Sequence, residues 1–448
     1  MIIRHDAYDL TARNSFGMKV SCRLYVEVTE PEDLLALDFG SLPQPLFVMG
    51  GGSNLLFTGD FPGTVLRMAN RGIRFLDSAL PGSARNDKHS TESGGNPPVI
   101  STKAGGDAFV ISTKAEGRAE KSVRVAAGVV FDDFCAWAAQ ENLWGPENLS
   151  LIPGEVGASA VQTIGAYGVE AKDIIDTVHA FDRTTRTFVD LPGADCGYGY
   201  RTSNFKTVWK GRYIITAVTF RLSAVPRPRL DYGGVRKALE ARFLDSALPG
   251  SARNDKNTPK AEGDPSVIST RTGDGTSVIS TKAERDTSVI STKAEGRVEK
   301  SFTPQEIRDT IIEIRRTKLP DPEEIGSAGS FFCNPVIERA HFERIVERAK
   351  EENGPGYEVP HYDVGDRVKV PSAWMIDQCG FKGMRLGGAQ VYPKQPLVLV
   401  NATGQATPDE IIALEQRIIG TIREKYGIDL HPEVEHVTGQ EIEYQQNN

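Results

Sequence analysis

The sequence predicts an α+β protein: two lobes sharing a cofactor cleft, a third α+β domain after them, and two long insertions foreign to both. Three observations lead there. Two glycine-rich runs, 49–54 and 150–168, are set among apolar, strand-forming residues. Strand-like and helix-like segments mix without the regular strand–helix–strand repeat that builds a parallel sheet. A peptide, Phe-Leu-Asp-Ser-Ala-Leu-Pro-Gly-Ser-Ala-Arg-Asn-Asp-Lys, occurs at 75–88 and again, identically, at 243–256.

Bulk properties narrow the class. A chain of 448 residues is long for one domain. Its net charge of −8, with acids and bases interspersed, argues against a nucleic-acid or anionic-membrane partner. No apolar run reaches the roughly 18–20 residues that span a bilayer. The first ten residues carry an early acid and no long apolar core, unlike a signal peptide. Cys22, Cys135, Cys196, Cys333 and Cys379 are scattered and odd in number, so neither a disulfide framework nor a metal site is implied. A reduced, cytoplasmic, monomeric protein is expected.

In order, Val20–Val28 reads as a strand and Pro31–Asp38 as a short helix. The apolar Leu46–Val48 then runs into Gly50-Gly51-Gly52-Ser53-Asn54-Leu55, a strand entering a tight phosphate-type loop. It lacks the lysine of a Walker loop and the helix and acid of a Rossmann unit. After a helix at Phe131–Glu141 comes the second run, with glycines at 154, 157, 165 and 168 and no charge from Gly157 to Gly168. Bare N–H groups in such loops cradle a diphosphate without a lysine. Tyr213–Leu222 alternates as a strand, Thr303-Pro-Gln-Glu306 starts a helix with a threonine cap, and Pro320 and Pro322 stop it. Further helices are expected at 341–351 and Pro408–Tyr426, and a strand at Leu397–Asn401.

Each repeat copy is followed by Val-Ile-Ser-Thr units eleven residues apart. One apolar pair per eleven residues buries too little to offset roughly 1–2 kcal/mol of ordering per residue, so disordered surface loops are expected. Removing both blocks leaves a chain that reads smoothly. The domains are then 1–74 (first lobe), 75–121 (insertion), 122–242 (second lobe with a tyrosine loop), 243–300 (insertion), 301–319 (linking helix), 320–435 (third domain) and 436–448 (tail).

The paired loops resemble the FAD-binding module of the vanillyl-alcohol-oxidase/p-cresol methylhydroxylase type. The string Ile152-Pro-Gly … Ile164-Gly-Ala-Tyr-Gly168, with Gly-Tyr-Arg201, Arg-Thr-Lys318-Leu-Pro-Asp-Pro, Gly-Ser330-Phe-Phe-Cys-Asn334-Pro and Pro-Glu433-Val, is similar to the UDP-N-acetylenolpyruvoylglucosamine reductase family, in its long, type I form. The resemblance covers nearly all the chain outside the insertions. It implies a two-lobed FAD-binding module, a substrate-binding third domain, and NADPH-dependent reduction of an enolpyruvyl ether on a UDP-sugar.

The resemblance also assigns residues. Asn14, Gly50, Gly51, Gly52, Ser53, Asn54 and Leu55 would hold FAD together with Pro153, Gly154, Gly157, Ala158, Gln162, Ile164, Gly165, Ala166, Tyr167 and Gly168. No His or Cys stands in a tethering motif, so the flavin would be non-covalent. Arg201 would face the enolate, since a guanidinium keeps its charge and forks onto carboxylates. Ser330 would donate the proton, and Glu433 would either donate a hydrogen bond or orient a water. Tyr232, Lys318, Asn334, Lys382 and Gln395 would contact substrate, with Tyr362 or Tyr357 over the uridine and Trp374 a weaker candidate. Thr163 departs from the family's Asn and would weaken one flavin hydrogen bond. Two other classes remain: an FAD oxidase of the same fold, and a flavin- or UDP-sugar-binding protein without activity.

Overall fold

A computed structural model describes residues 1–76, 110–111, 119–247 and 301–439. Most of the two insertions, and with them their expected disorder, lies outside the described residues, as does 440–448.

The first lobe is a four-stranded sheet ordered β1 (Ile2–Asp9), β2 (Ser21–Val28), β5 (Phe61–Met68), β3 (Leu46–Met49). β1 is antiparallel to β2; β2, β5 and β3 are parallel. The helix expected after β2 is only a 3-10 turn, Pro31–Leu35, with Leu34 alone buried; one buried side chain does not repay helix nucleation. β4 (Leu55–Phe57) leaves the first glycine run.

The second lobe is a six-stranded sheet ordered β12 (Thr187–Pro192), β11 (Ile175–Asp182), β13 (Tyr213–Ser223), β8 (Glu120–Ala126), β6 (Ile73–Phe75), β7 (Val110–Ile111). Helix α1 (Phe131–Gln140) lays its apolar face on it, with Phe134 stacked on Phe220 at 4.5 Å. The second glycine run holds a short helix, α2 (Val156–Gln162), and a hairpin, β9 (Gly165–Ala166) and β10 (Val169–Glu170). α3 (Val235–Ala247) and α4 (Pro304–Lys318) pack beside this lobe. α4 begins with the expected Thr303–Glu306 capping box and buries Ile307 and Ile311 with Trp144, Val235 and Leu239. Arg308 of α4 grips Asp132 at the start of α1 with both guanidinium ends.

The third domain pairs β14 (Gly326–Ser330), β20 (Val398–Asn401), β19 (Ala389–Val391) and β18 (Arg385–Leu386) in that order. β15 (Val336–Glu338), β17 (Arg367–Lys369) and β16 (Tyr362–Val364) form a smaller sheet. α5 (Arg339–Asn353), α6 (Ser372–Gln378) and α7 (Pro408–Tyr426) complete it. The last strand, β21 (Glu435–Val437), returns to pair in parallel with β4; the expected boundary at 435 falls inside it.

Strand alternation explains how three units become one body. Successive side chains of a strand point to opposite faces. Tyr25 of β2 and Val65 of β5 therefore join a core with Phe331, Ile418 and Val437 of the third domain. Their neighbours Leu24, Val26 and Leu66 join the core of the second lobe, with Val125, Phe134 and Val218. The first sheet is the middle layer, and its glycine run opens where all three meet.

Candidate active site

The first glycine run is shaped by a close approach. Gly52 has φ +68°, and a Cβ there would lie 1.9 Å from Arg13 O, so only glycine fits. Ser15 N–H donates to Gly52 O at 3.0 Å. Among the described residues none accepts from the N–H groups of Gly51, Gly52 or Ser53. Gly51, Gly52 and Ser53 line a cavity of about 230 Å³ with Glu155, Gly157, Ala158, Gln162 and Tyr213. Unanswered N–H groups in a turn form an anion nest, so the lining suits the diphosphate of a dinucleotide.

The second run does something different from what its glycines suggest. It is no bare cradle: the N–H groups of Val156 and Gly157 are taken by Val129 O and Ala127 O, 2.9 Å each. A Cβ at Gly157 would lie 2.9 Å from that of Ala127, so this glycine serves to seat α2 against the end of β8. Ser53 Oγ donates to Pro153 O at 3.1 Å and ties the two runs together.

Past α2 the backbone turns left-handed at Thr163 (φ +50°), Tyr167 (φ +48°) and Arg201 (φ +56°), as it also does at Arg186 in the β11–β12 turn. Such clustering of strain is characteristic of functional sites. Thr163 is fully buried, and its hydroxyl donates to Gly199 O at 3.3 Å. Arg201 donates from Nη1 to Thr163 O (3.0 Å) and from Nη2 to Gly165 O (2.8 Å). Its Nε lies 2.9 Å from Glu433 Oε1, with the two side chains only 17% and 14% exposed. The Nε–H is not aimed along this line, so the contact is one of charge with charge.

Glu433 is held from every side. Its N–H donates to Phe331 O at 2.8 Å, and its carbonyl accepts from Asn54 Nδ2 at 3.0 Å and Gln162 Nε2 at 3.4 Å. Phe332 bridges Pro432, and Cys333 N–H reaches His431 O at 2.9 Å. The segment after Ser330 thus runs antiparallel to the segment carrying Glu433. Ser330 ends β14, one residue past Gly329 at φ +74°, and stays partly accessible. Burial and the Glu433 charge push the Cys333 thiol up to about 11, which keeps it protonated at neutral pH.

The other expected residues divide. Tyr232 and Tyr362 stack at 5.6 Å, both exposed, and Tyr167 lies against Gly233. Tyr357 instead accepts from Trp374 Nε1 at 3.0 Å, packed against the third domain's core. Asn14 has its whole amide engaged: Oδ1 accepts from Met18 N–H, and Nδ2 donates to Leu10 O and Met18 O. Its effect on the glycine run is therefore through backbone shape. Asn334 Oδ1 accepts from Ser372 N–H at 2.9 Å. Lys318 stands exposed at the end of α4, Lys382 is 3.7 Å from Asp377, and Gln395 accepts weakly from Leu397 N–H. Among the described residues no hydrogen bond or ion pair joins these three to Arg201, Ser330 or Glu433.

Two residues were missed in the sequence. Tyr200 presents its ring to the Arg201 guanidinium at 5.5 Å and to Lys369 at 4.9 Å; its place beside Arg201 was the available signal. Arg315 on α4 is partly buried; desolvation lowers its pKa, and among the described residues its Nε has no hydrogen-bond partner. Nothing in the helix pattern marks it.

A two-lobed dinucleotide cleft with a free N–H nest, closed by a third domain whose Glu433 meets Arg201 of the second lobe, defines a flavin-dependent oxidoreductase module. Comparison with known proteins agrees. The family model for the UDP-N-acetylenolpyruvoylglucosamine reductase C-terminal domain matches residues 321–437, and the FAD binding domain model matches 84–187. The chain is 37% identical over 431 residues to UDP-N-acetylenolpyruvoylglucosamine reductase of Bacteroides fragilis strain YCH46, covering 96% of this chain and 99% of that one. It is 35% identical to the protein so named in Porphyromonas gingivalis strain W83, over 98% and 100% of the two chains. It therefore belongs to the UDP-N-acetylenolpyruvoylglucosamine reductase family. The crystal structure of the Thermus caldophilus reductase shares the fold, with TM-score 0.50 and 18% identity over 97% and 98% of the chains.

Proposed function

We propose that this chain is an NADPH-dependent, FAD-containing reductase that converts the enolpyruvyl ether of UDP-N-acetylglucosamine to UDP-N-acetylmuramate in peptidoglycan precursor synthesis. The observation that carries this is Arg201 held between the second glycine run and Glu433, beside the strand that ends in Ser330. The N–H groups of Gly51, Gly52 and Ser53 would hold the FAD diphosphate, with Gly157, Ala158 and Gln162 on the facing wall. FAD, when bound, would supply the redox chemistry by which NADPH reduces the double bond at its β-carbon.

The protein's own part is charge and proton management. Arg201 has one N–H on each of Nη1 and Nη2 beyond those given to the loop, and both are available to the substrate carboxylate. As hydride arrives, negative charge grows there, and a fixed donor in a dry site lowers the barrier by roughly 3–4 kcal/mol. Glu433 keeps the guanidinium in place. Ser330 Oγ–H gives its proton to the α-carbon. Lys318, Asn334, Lys382 and Gln395 meet the UDP portion, with Tyr232 and Tyr362 as its aromatic cover. The enzyme acts as a cytoplasmic monomer.

The test is optical. The purified protein is expected to be yellow with extractable FAD, to bleach with NADPH without oxygen, and to regain colour on adding the enolpyruvyl substrate. A colourless protein that refuses FAD, or a flavin that NADPH leaves oxidised, overturns the proposal.

A further inference from the structure

Glu155 is an odd residue for the wall of a diphosphate cavity. It is only 4% exposed, it precedes α2 without capping it, and it lines the cavity with Gly51, Gly52 and Ser53. A Cβ placed on Gly50 would lie 3.7 Å from Glu155 Oε2, so that oxygen looks onto the glycine run itself. Its other oxygen, Oε1, is taken by Nη2 of Arg67. Arg67 comes from β5 of the first lobe and is 8% exposed. Its Nη1 donates to Glu27 Oε1 at 3.1 Å, and Arg13 Nη2 lies 3.6 Å from Glu27 Oε2. Charge alternates along this chain: Glu155, Arg67, Glu27, Arg13.

A buried ion pair adds little net stability, yet removing one partner strands a charge in a low-dielectric site. Here the stranded charge would be a carboxylate beside bound phosphates. Burial already pushes the Glu155 carboxyl up, against the opposing pull of Arg67. We infer that Arg67 is a positioning residue for FAD that acts through Glu155, fixing the second glycine run to the first lobe and cancelling the carboxylate that faces the cofactor's diphosphate. The inference rests on the FAD reading above and goes beyond it by naming a residue outside both glycine runs.

The geometry fixes an asymmetric pattern. FAD retention is read on the full-length chain as recovery of flavin fluorescence on dilution, alongside thermal unfolding of the flavin-free protein. R67Q is expected to raise the FAD Kd about tenfold or more, as when one partner of a buried pair is truncated. E155Q alone is expected to change it little, and R67Q/E155Q to recover most of the loss, because the second change removes the stranded charge. R67K, which keeps the charge, is expected to hold FAD far better than R67Q. The inference is overturned if the double variant holds FAD no better than R67Q, or if R67K and R67Q fail alike. Wild-type protein that takes up no FAD would instead sink the functional reading, a different result.

Discussion

Arg201 Nε and Glu433 Oε1 lie 2.9 Å apart, with 231 residues of sequence between them. One sits on a left-handed turn after the second lobe's glycine run, the other just ahead of the strand that closes on the first lobe. The backbone around Glu433 accepts or donates hydrogen bonds to Asn54, Gln162 and Phe331, one from each of the three units. Any change in how the units dock is thus felt at this pair.

Arg201→Lys should retain the fold and FAD but lower kcat. A lysine cannot make the two carbonyl bonds to Thr163 and Gly165 and still fork onto a carboxylate. The expected fall is on the order of 10²–10³, the usual effect of losing one preorganised donor. Steady-state kinetics with flavin content measured in parallel checks this; near-wild-type kcat would remove Arg201 from its role.

Ser330→Ala should separate the half-reactions. NADPH should still bleach the flavin, while the enolpyruvyl substrate should fail to restore its colour. Stopped-flow absorbance reads each step separately, and an equal loss in both would show that the hydroxyl has a structural task instead.

Thr163→Asn should stabilise the protein by about 1 kcal/mol, since a branched side chain in the left-handed region is strained and Asn is tolerated there. Asn also carries the N–H donors to replace the hydroxyl contact with Gly199 O. The shift in urea midpoint measures it; a midpoint that falls would mean the methyl group packs better than the turn is strained.

Excising 77–118 and 248–300, each replaced by a short glycine-containing link, should leave FAD content and stability close to wild type. The junctions favour this. Leu76 N–H donates to Ser122 O at 2.9 Å, so β6 and β8 can close as a hairpin. Across the second gap, Arg242 lies 3.3 Å from Asp309 and the Phe243 and Phe302 rings are 6.4 Å apart. Flavin absorbance and thermal unfolding of the shortened chain test it, and loss of FAD would give the repeats a structural role.

Much of the fold was legible in the sequence because it rests on local physics. The cap and paired prolines bounded α4, the alternation of Tyr213–Leu222 marked β13, and the helix expected at Pro408–Tyr426 is α7. The tight turn of the first glycine run was legible, since Gly52 sits where no side chain fits. That Gly157 of the second run seats α2 against Ala127 was not legible, because glycines that seat a helix and glycines that bare a loop look alike in one dimension.

Long-range choices were invisible. Nothing local distinguishes Tyr362, stacked on Tyr232, from Tyr357, engaged with Trp374. Arg67 and Glu155 gave no signal, because a pair so distant in the chain is defined only when two lobes dock. The repeated peptide makes the limit plain: Phe75 lies in strand β6 against Trp137, whereas Phe243, opening an identical stretch, lies in helix α3. The sequence by itself determined where chain could turn, cap and alternate, since those depend on neighbouring residues. Only the tertiary structure decided which charges meet and which conformation a shared peptide takes, because burial against a partner outweighs local preference.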